Sequence, residues 1–336
     1  MKISSTPANY SGAFSDLVYK VTEAVPDEVV EVSVVGEQST DVLGIKRYRG
    51  QSEYTVNISN YVKRRLSVTP HYRASNAAYI PQGRLAKSSI RIGSLASGQR
   101  SFIPGVKAGI QYELLSDSPF DHSLAPGEID ELSFIGSSSK IIFLYGFLTR
   151  GDHVHDSVFS LAGLYETLSF ILNADWIANE AKNIGLGGLE NYTHLEVNAE
   201  KNSKLVPIRR YELKSRNRNS VRMCWVNPYG ALDYYTFTKT HGETITADKK
   251  QFYTAEGYRS YEAYSERFLS LESGYENAET LMWLSDILCA PRVWMYEDKV
   301  FKEVDVVTNS LSASGDRPAS VRLTVREKKK TIHQSF

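Results

Sequence analysis

Cysteine is scarce in this chain, with only Cys224 and Cys289 in 336 residues. Both stand in apolar contexts, one strand-like and one at a helix end, and read as buried free thiols, which excludes a disulfide-stapled secreted scaffold. An excess of one charge is also missing. Lys plus Arg and Asp plus Glu number 39 each, so no global field draws nucleic acid or an anionic membrane. The single basic run, Arg326, Lys328, Lys329 and Lys330, reads as a solvated strand end. No apolar run reaches the roughly 18 residues that a bilayer span requires. Met1 to Tyr19 lacks a basic segment followed by an apolar one, so the expectation is a soluble protein with neither signal peptide nor membrane segment. No period of about 20–50 residues recurs, which excludes a solenoid or propeller.

Catalytic signatures are equally thin. Gly185-Leu186-Gly187-Gly188 has neither the preceding strand nor the spacing of a dinucleotide loop, and no nucleophile elbow of the Gly-x-Ser-x-Gly type occurs. His153, His155 and Asp156 form the sharpest ligand-like cluster, because residues two apart on a strand project to one side. A metal needs three or four such groups, and His71, His122, His194, His241 and His333 are scattered singly. Glu128, Asp130 and Glu131 offer the carboxylates of a glycosidase, but they follow Pro126-Gly127 and read as exposed acids in a turn-rich loop. The sequence therefore predicts no catalytic residue, no metal and no cofactor.

What the chain does contain is strand chemistry. Tyr, at 21 copies, outnumbers Phe, at 13, and both suit half-buried strand faces and contact surfaces. The clearest element is Arg222 to Phe237, two alternating runs around Asn227-Pro228-Tyr229-Gly230, where Pro presets one backbone angle and Gly tolerates positive φ. Val29 to Val35 alternates, Asp41 to Tyr48 and Glu53 to Ile58 follow, and Lys140 to Leu148 is apolar enough for burial on both faces. Shorter strands are expected at Ser88 to Ile92, Gln99 to Ile103 and Lys107 to Leu115. One helix is predicted, 277–289, with Asn277 as N-cap, Leu281, Leu284, Ile287 and Leu288 as its stripe, and Pro291 beyond its end.

At 336 residues the chain exceeds the size at which one core keeps growing, so two domains are expected. The predicted fold is mostly β: a β-sandwich-like domain over 1–172, a linker or insertion loop over 173–204, and a second β-sandwich-like domain over 205–336 that carries the helix. Tyr253, Tyr258, Tyr261 and Tyr264, with Phe252 beside them, read either as core and edge aromatics around a strand or as a candidate interface.

The order of pieces from about Arg209 onward carries a resemblance. It runs from the Trp225 to Phe237 hairpin through Leu269-Ser-Leu-Glu-Ser-Gly274, Glu279 to Leu288 and Ala290-Pro-Arg-Val293 to Val304 to Asn309 and Lys330-Thr-Ile-His-Gln334. This order resembles a family of virion structural proteins, usually of the tail, encoded by bacteriophages that infect Bacteroidetes. The first half resembles the same group more loosely, through its β-rich opening ending in Tyr54 to Tyr61. The resemblance implies a tail, neck or baseplate subunit that forms a homo-oligomeric ring, joins other virion tail proteins and is assembled in the host cytoplasm. It implies no turnover and no sequence-specific nucleic-acid partner. On this reading 1–27, 173–204 and 239–267 are loops that order against neighbours. The alternative is a carbohydrate-binding or host-adhesion module with the tyrosines as its stacking platform.

Overall fold

The computed structural model describes residues 1–25, 28–75, 77–110, 113–135, 141–149, 152–161, 166–183, 193–201, 204–215, 217–311, 318–328 and 331–335. For 77–78, 141–149, 152–161, 180–181, 199–201, 204–205, 241 and 331–335 it describes the backbone alone. The chain is mostly β, with 52% strand and 10% helix.

The N-terminal part is a sandwich of two sheets. Lys2–Ser5, Val18–Thr22 and Tyr54–Asn57 form an antiparallel three-stranded sheet. Ser11–Gly12, Arg100–Ile103, Ala86–Ile92, Val29–Val35 and Val42–Arg49 form the other sheet in that order, with Leu95–Ala96 paired to Ala86–Ile92. In Val29–Val35 the alternation resolves as predicted: Val30, Val32 and Val34 are buried while Val29 is exposed. These valines meet Tyr19, Val21, Tyr54, Val56 and Phe102 in one core. Residues 1–25 therefore do not wait for a neighbour to order them. Ala13, Leu17, Tyr19 and Val21 are fully buried, and the strands of this stretch are short enough for polar residues between them to hide the pattern. Lys107 to Leu115, expected as a strand, contributes none among its described residues.

A middle unit spans the stretch read as a domain junction. Ile129–Phe134, Leu168–Asn173 and Ala77–Tyr79 make one sheet; Asp121–Leu124, Lys204–Leu213, His194–Lys201, Ile141–Thr149 and Asp152–Leu161 make the other. Leu132, Phe134, Phe170 and Leu172 of the first pack against Leu195, Val197 and Tyr211 of the second. The segment 173–204 is thus largely an element of the core: it holds the helix Ala174–Asn183 and the strand His194–Lys201. Asn173 begins this helix by accepting a hydrogen bond from the Trp176 N–H at 3.1 Å, and Ala174 and Ile177 are buried beneath it. The proposed boundary at 205 falls inside Lys204–Leu213. Gly185 to Gly188 lies outside the described residues.

The C-terminal sheet has eight strands, ordered Leu232–Phe237, Val221–Val226, Val293–Glu297, Val300–Val306, Arg322–Glu327, Gly257–Glu272 and Lys239–Thr254, with Thr331–Ser335 also paired to Gly257–Glu272. One face packs on two short helices, Ala278–Leu284 and Asp286–Cys289, through Met223, Trp225, Leu271, Trp283 and Leu323. Asn277 caps the first helix by accepting from the Thr280 N–H at 2.8 Å, as its sequence predicts. The opposite face, through Cys224, Tyr234, Trp294 and Tyr296, packs on Ile129 and Ile171 of the middle unit. Cys224 is buried as expected, whereas Cys289 is exposed because the second helix ends at the surface.

The turn that opens this sheet also joins it to the N-terminal sandwich. Asn227 Oδ1 accepts from the N–H groups of Tyr229 and Ala231, each at 3.0 Å, and its Nδ2 donates to Leu115 O at 2.7 Å. The N–H groups of Val106 and Lys107 donate to Pro228 O at 2.8 and 3.0 Å. Gly230 sits at φ +75°, and a Cβ there would lie 2.2 Å from Pro104 O, so both conformation and contact require glycine.

Candidate functional site

The longest strands of the protein form an arm. Lys239–Thr254 and Gly257–Glu272, each 16 residues long, pair along their whole length. At about 3.3 Å per residue, each strand extends roughly 50 Å. Thr244, Ile245, Thr246, Phe252, Tyr253 and Thr254 on one strand, and Tyr258, Tyr261 and Tyr264 on the other, favour extended backbone. The chain reverses through Ala255 and Glu256 into Gly257 at φ +111°, with the Thr254 hydroxyl donating to Gly257 O at 2.9 Å. The segment 239–267, expected as a loop, is therefore a strand pair. Its polar residues made it look irregular, yet they pair across it: Arg267 with Glu243 at 2.6 Å and Lys250 with Glu262 at 2.5 Å.

Among the described residues, other strands pair with the arm only between 262 and 272. Residues 268–272 pair with Arg322–Glu327, and 262–265 pair with Thr331–Ser335. Lys239–Thr254 is the terminal strand of the sheet, and among the described residues no strand pairs with its outer edge. Two-stranded ribbons are marginal by themselves, so what the distal half displays is notable. Tyr253 and Tyr258 face each other across the strands, 5.1 Å apart and edge to face, and are 73% and 75% exposed. Phe252 and Tyr261 meet at 6.1 Å and are also exposed. Because consecutive residues of a strand point to opposite faces, these are two aromatic pairs on opposite sides of one tip. Tyr264 belongs to the shaft: it is half-buried, donates its hydroxyl to Glu262 and lies beneath the Lys250 ammonium. Three of the four candidate interface tyrosines thus reach the tip region, and Phe252 completes the set.

The other candidates fare differently. The side chains of His153, His155 and Asp156, on Asp152–Leu161, lie outside the described residues. Glu128, Asp130 and Glu131 are not exposed loop acids; all three are buried, the last two in Ile129–Phe134. Each faces an arginine from elsewhere in the chain: Arg84 lies 2.5 Å from Glu131, Arg222 lies 3.4 Å from Glu128, and Arg209 and Arg222 approach Asp130 to 3.7 and 3.8 Å. Burial raises the Asp130 carboxyl above its ordinary range while both arginines pull it down. These acids are a junction where three parts of the fold meet, since Arg84 follows the strand Ala77–Tyr79, Arg209 lies on Lys204–Leu213 and Arg222 on Val221–Val226. No solvent-reaching carboxylate pair for glycoside chemistry arises from them.

Asp233 is a second buried acid. It accepts from Trp283 Nε1 at 2.7 Å, Ser116 Oγ at 2.8 Å and Asn227 Nδ2 at 2.9 Å, and burial pushes its carboxyl up to about 6. A polar cavity of about 320 Å³ lies near it, lined by His122, Arg210, Lys214 and Glu276 among others. Its charges are matched locally: Arg210 with Asp121 at 2.6 Å, Lys214 with Glu212 at 2.9 Å, and Glu276 with the Tyr235 hydroxyl at 2.6 Å. His122 is held neutral, well below its ordinary value, by burial and by Arg209 and Arg222. Among the described residues no three His, Cys, Asp or Glu side chains cluster to hold a metal ion, and no helix is long and apolar enough to cross a membrane.

No family model matches the chain, and no curated protein matches it.

Proposed function

We propose that this protein is a structural subunit that acts by assembly, with the hairpin arm as the element that engages a neighbour. One observation carries the reading: a ribbon of 16 residues per strand ends in two aromatic pairs that its own chain leaves exposed. Large aromatics displayed in contiguous patches mark contact surfaces, where they supply area at low entropic cost. The finer proposal is a bacteriophage tail, neck or baseplate subunit forming a homo-oligomeric ring within the virion. It is supported by the order of motifs from Arg209 onward, and the buried, charge-paired state of the candidate acids supports a role without turnover. A sugar-stacking role would use the same exposed faces, and the aromatic pairs on both sides of the tip, of which one sugar engages only one, favour assembly over it.

Mass photometry and negative-stain electron microscopy of the full chain, alone and with Tyr253→Ser and Tyr258→Ser, test the proposal. A multimer that the double variant dissolves is the expected result. A strictly monomeric chain at high concentration, absent from purified phage particles, refutes it.

A further inference from the structure

An aromatic pair on each face of a narrow ribbon sets a condition on whatever receives it. A flat surface would bury one pair and leave the other in water, so the receiver has to be a cleft with two walls. A candidate receiver lies in the protein's middle unit. A groove of about 880 Å³ lies beside the helix Ala174–Asn183, with Leu124, Trp176, Ala178, Leu213 and Tyr72 among its lining. Lys182 and Lys299 also line it, as does Lys214, which is paired with Glu212, and Asp175, the one acid there, already accepts from the Gly127 N–H at 2.7 Å.

That chemistry suits tyrosine. Ammonium groups are drawn to the electron-rich faces of aromatic rings, and an apolar floor takes the ring edges. The groove already contains one such contact, with the Lys299 ammonium 5.5 Å from the centre of the Tyr72 ring. The arm tip presents three more tyrosines and a phenylalanine, and its charges, Glu256 and Arg259, neutralise one another, so no unpaired charge would enter the groove. The four rings are 73%, 75%, 44% and 49% exposed in the free chain, so at roughly 150–250 Å² per ring seating them takes about 360–600 Å² from the tip, less than the roughly 800 Å² of a standard interface and enough for a contact repeated around an assembly.

We propose that the arm tip of one copy seats in the Trp176–Leu213 groove of a second copy of this chain. The inference rests on the assembly reading above and adds the receiving surface. Arm and groove are different patches and each subunit gives an arm and takes one, which builds a closed ring or an open filament, or a two-fold pair whose copies exchange arms.

Site-directed cross-linking tests it. In a Cys289→Ser background, where Cys224 remains buried, Ala255→Cys in the exposed reversal of the arm and Asn179→Cys are combined and treated with a short bismaleimide. A ladder of covalent multimers on a denaturing gel, with a single dimer rung if two copies exchange arms, present in the double variant and absent in each single one, is expected. Ala178→Glu, which puts a carboxylate into the groove, is expected to weaken self-association at least about tenfold, the scale of an interface hot spot. If tip variants dissolve the multimer while no ladder forms and Ala178→Glu is silent, the arm reading stands and this groove is refuted as its receiver. If the multimer survives loss of the tip tyrosines, or no multimer exists, the arm reading and this inference fall together.

Discussion

Replacing Trp225 with alanine tests how the C-terminal core is built. The ring is fully buried, lies 5.1 Å from the Trp283 ring, and belongs to the cluster formed with Met223, Leu271 and Leu323. Deleting a buried Trp costs about 3–5 kcal/mol through lost transfer energy and the cavity left behind. Two terms modify that figure. Loss of the ring pair adds about 0.5–1.5 kcal/mol. Against it, Trp225 Nε1 is buried without a hydrogen-bond partner, and removing such a group returns about 1–3 kcal/mol. The second outweighs the first by about 1 kcal/mol, so Trp225→Ala is expected to cost about 2–4 kcal/mol. Trp225→Phe, which keeps most of the ring and discards the unpartnered N–H, is expected to cost about half as much or less. Urea unfolding followed by far-ultraviolet circular dichroism measures both without using the tryptophan as its own probe. A loss below about 1 kcal/mol for Trp225→Ala, or Trp225→Phe as damaging as alanine, would refute the burial argument.

Further outcomes follow from the junctions. Gly230→Ala meets both a positive φ and the Pro104 carbonyl and is expected to cost several kcal/mol, read as a fall in thermal midpoint; Gly50→Ala, also at positive φ but with open space around it, should cost only about 1 kcal/mol. Glu131→Ala leaves Arg84 buried with its charge uncompensated and should cost about 3–5 kcal/mol, while replacing the pair together with apolar residues of similar volume should recover most of it. Asp233 holds its proton up to about pH 6 when folded but only to about 4 when unfolded, so its ionisation opposes folding. That gives a gain in stability of up to about 3 kcal/mol as pH falls from 6 toward 4, and the gain should vanish in Asp233→Asn. Glu303, held down to about 2 by Arg292 and Lys328, works in the other direction: its contribution is complete above its ordinary value and is lost as pH falls toward 2, a loss that Glu303→Gln should remove.

Local chemistry was readable from sequence where it acts over a few residues. The Asn227 to Gly230 turn and the Asn277 cap fall where Pro, Gly and Asn predict them, though the helix divides at Ser285. Asn173 followed by Asp175 and the apolar Trp176 and Ile177 was a legible helix start as well, overshadowed by the Gly-rich stretch behind it. Other features had no local trace. Glu128, Asp130 and Glu131 resemble loop acids because the arginines that neutralise them stand more than 40 residues away, and sequence does not display such pairings. Of the arm, Gly242 to Ala247 and Phe268 to Glu272 read as strands from sequence, and the stretch between them does not, for a related reason. Its strands bury little, so hydrophobic alternation has nothing to report, and cross-strand ion and aromatic pairs hold it instead. The tyrosines themselves were visible from the start; that they stand on both faces of a projecting tip required the register.

The central claim is that the arm assembles this protein, and shortening it is the most direct test. Residues 250–262 are replaced by Asn-Gly, joining Lys249 to Ala263, which already face each other across the ribbon. Light scattering coupled to size-exclusion chromatography then compares the two chains. The account predicts a multimer for the full chain and a monomer for the shortened one, with unchanged thermal unfolding of the core. Equal oligomeric mass for both would contradict it.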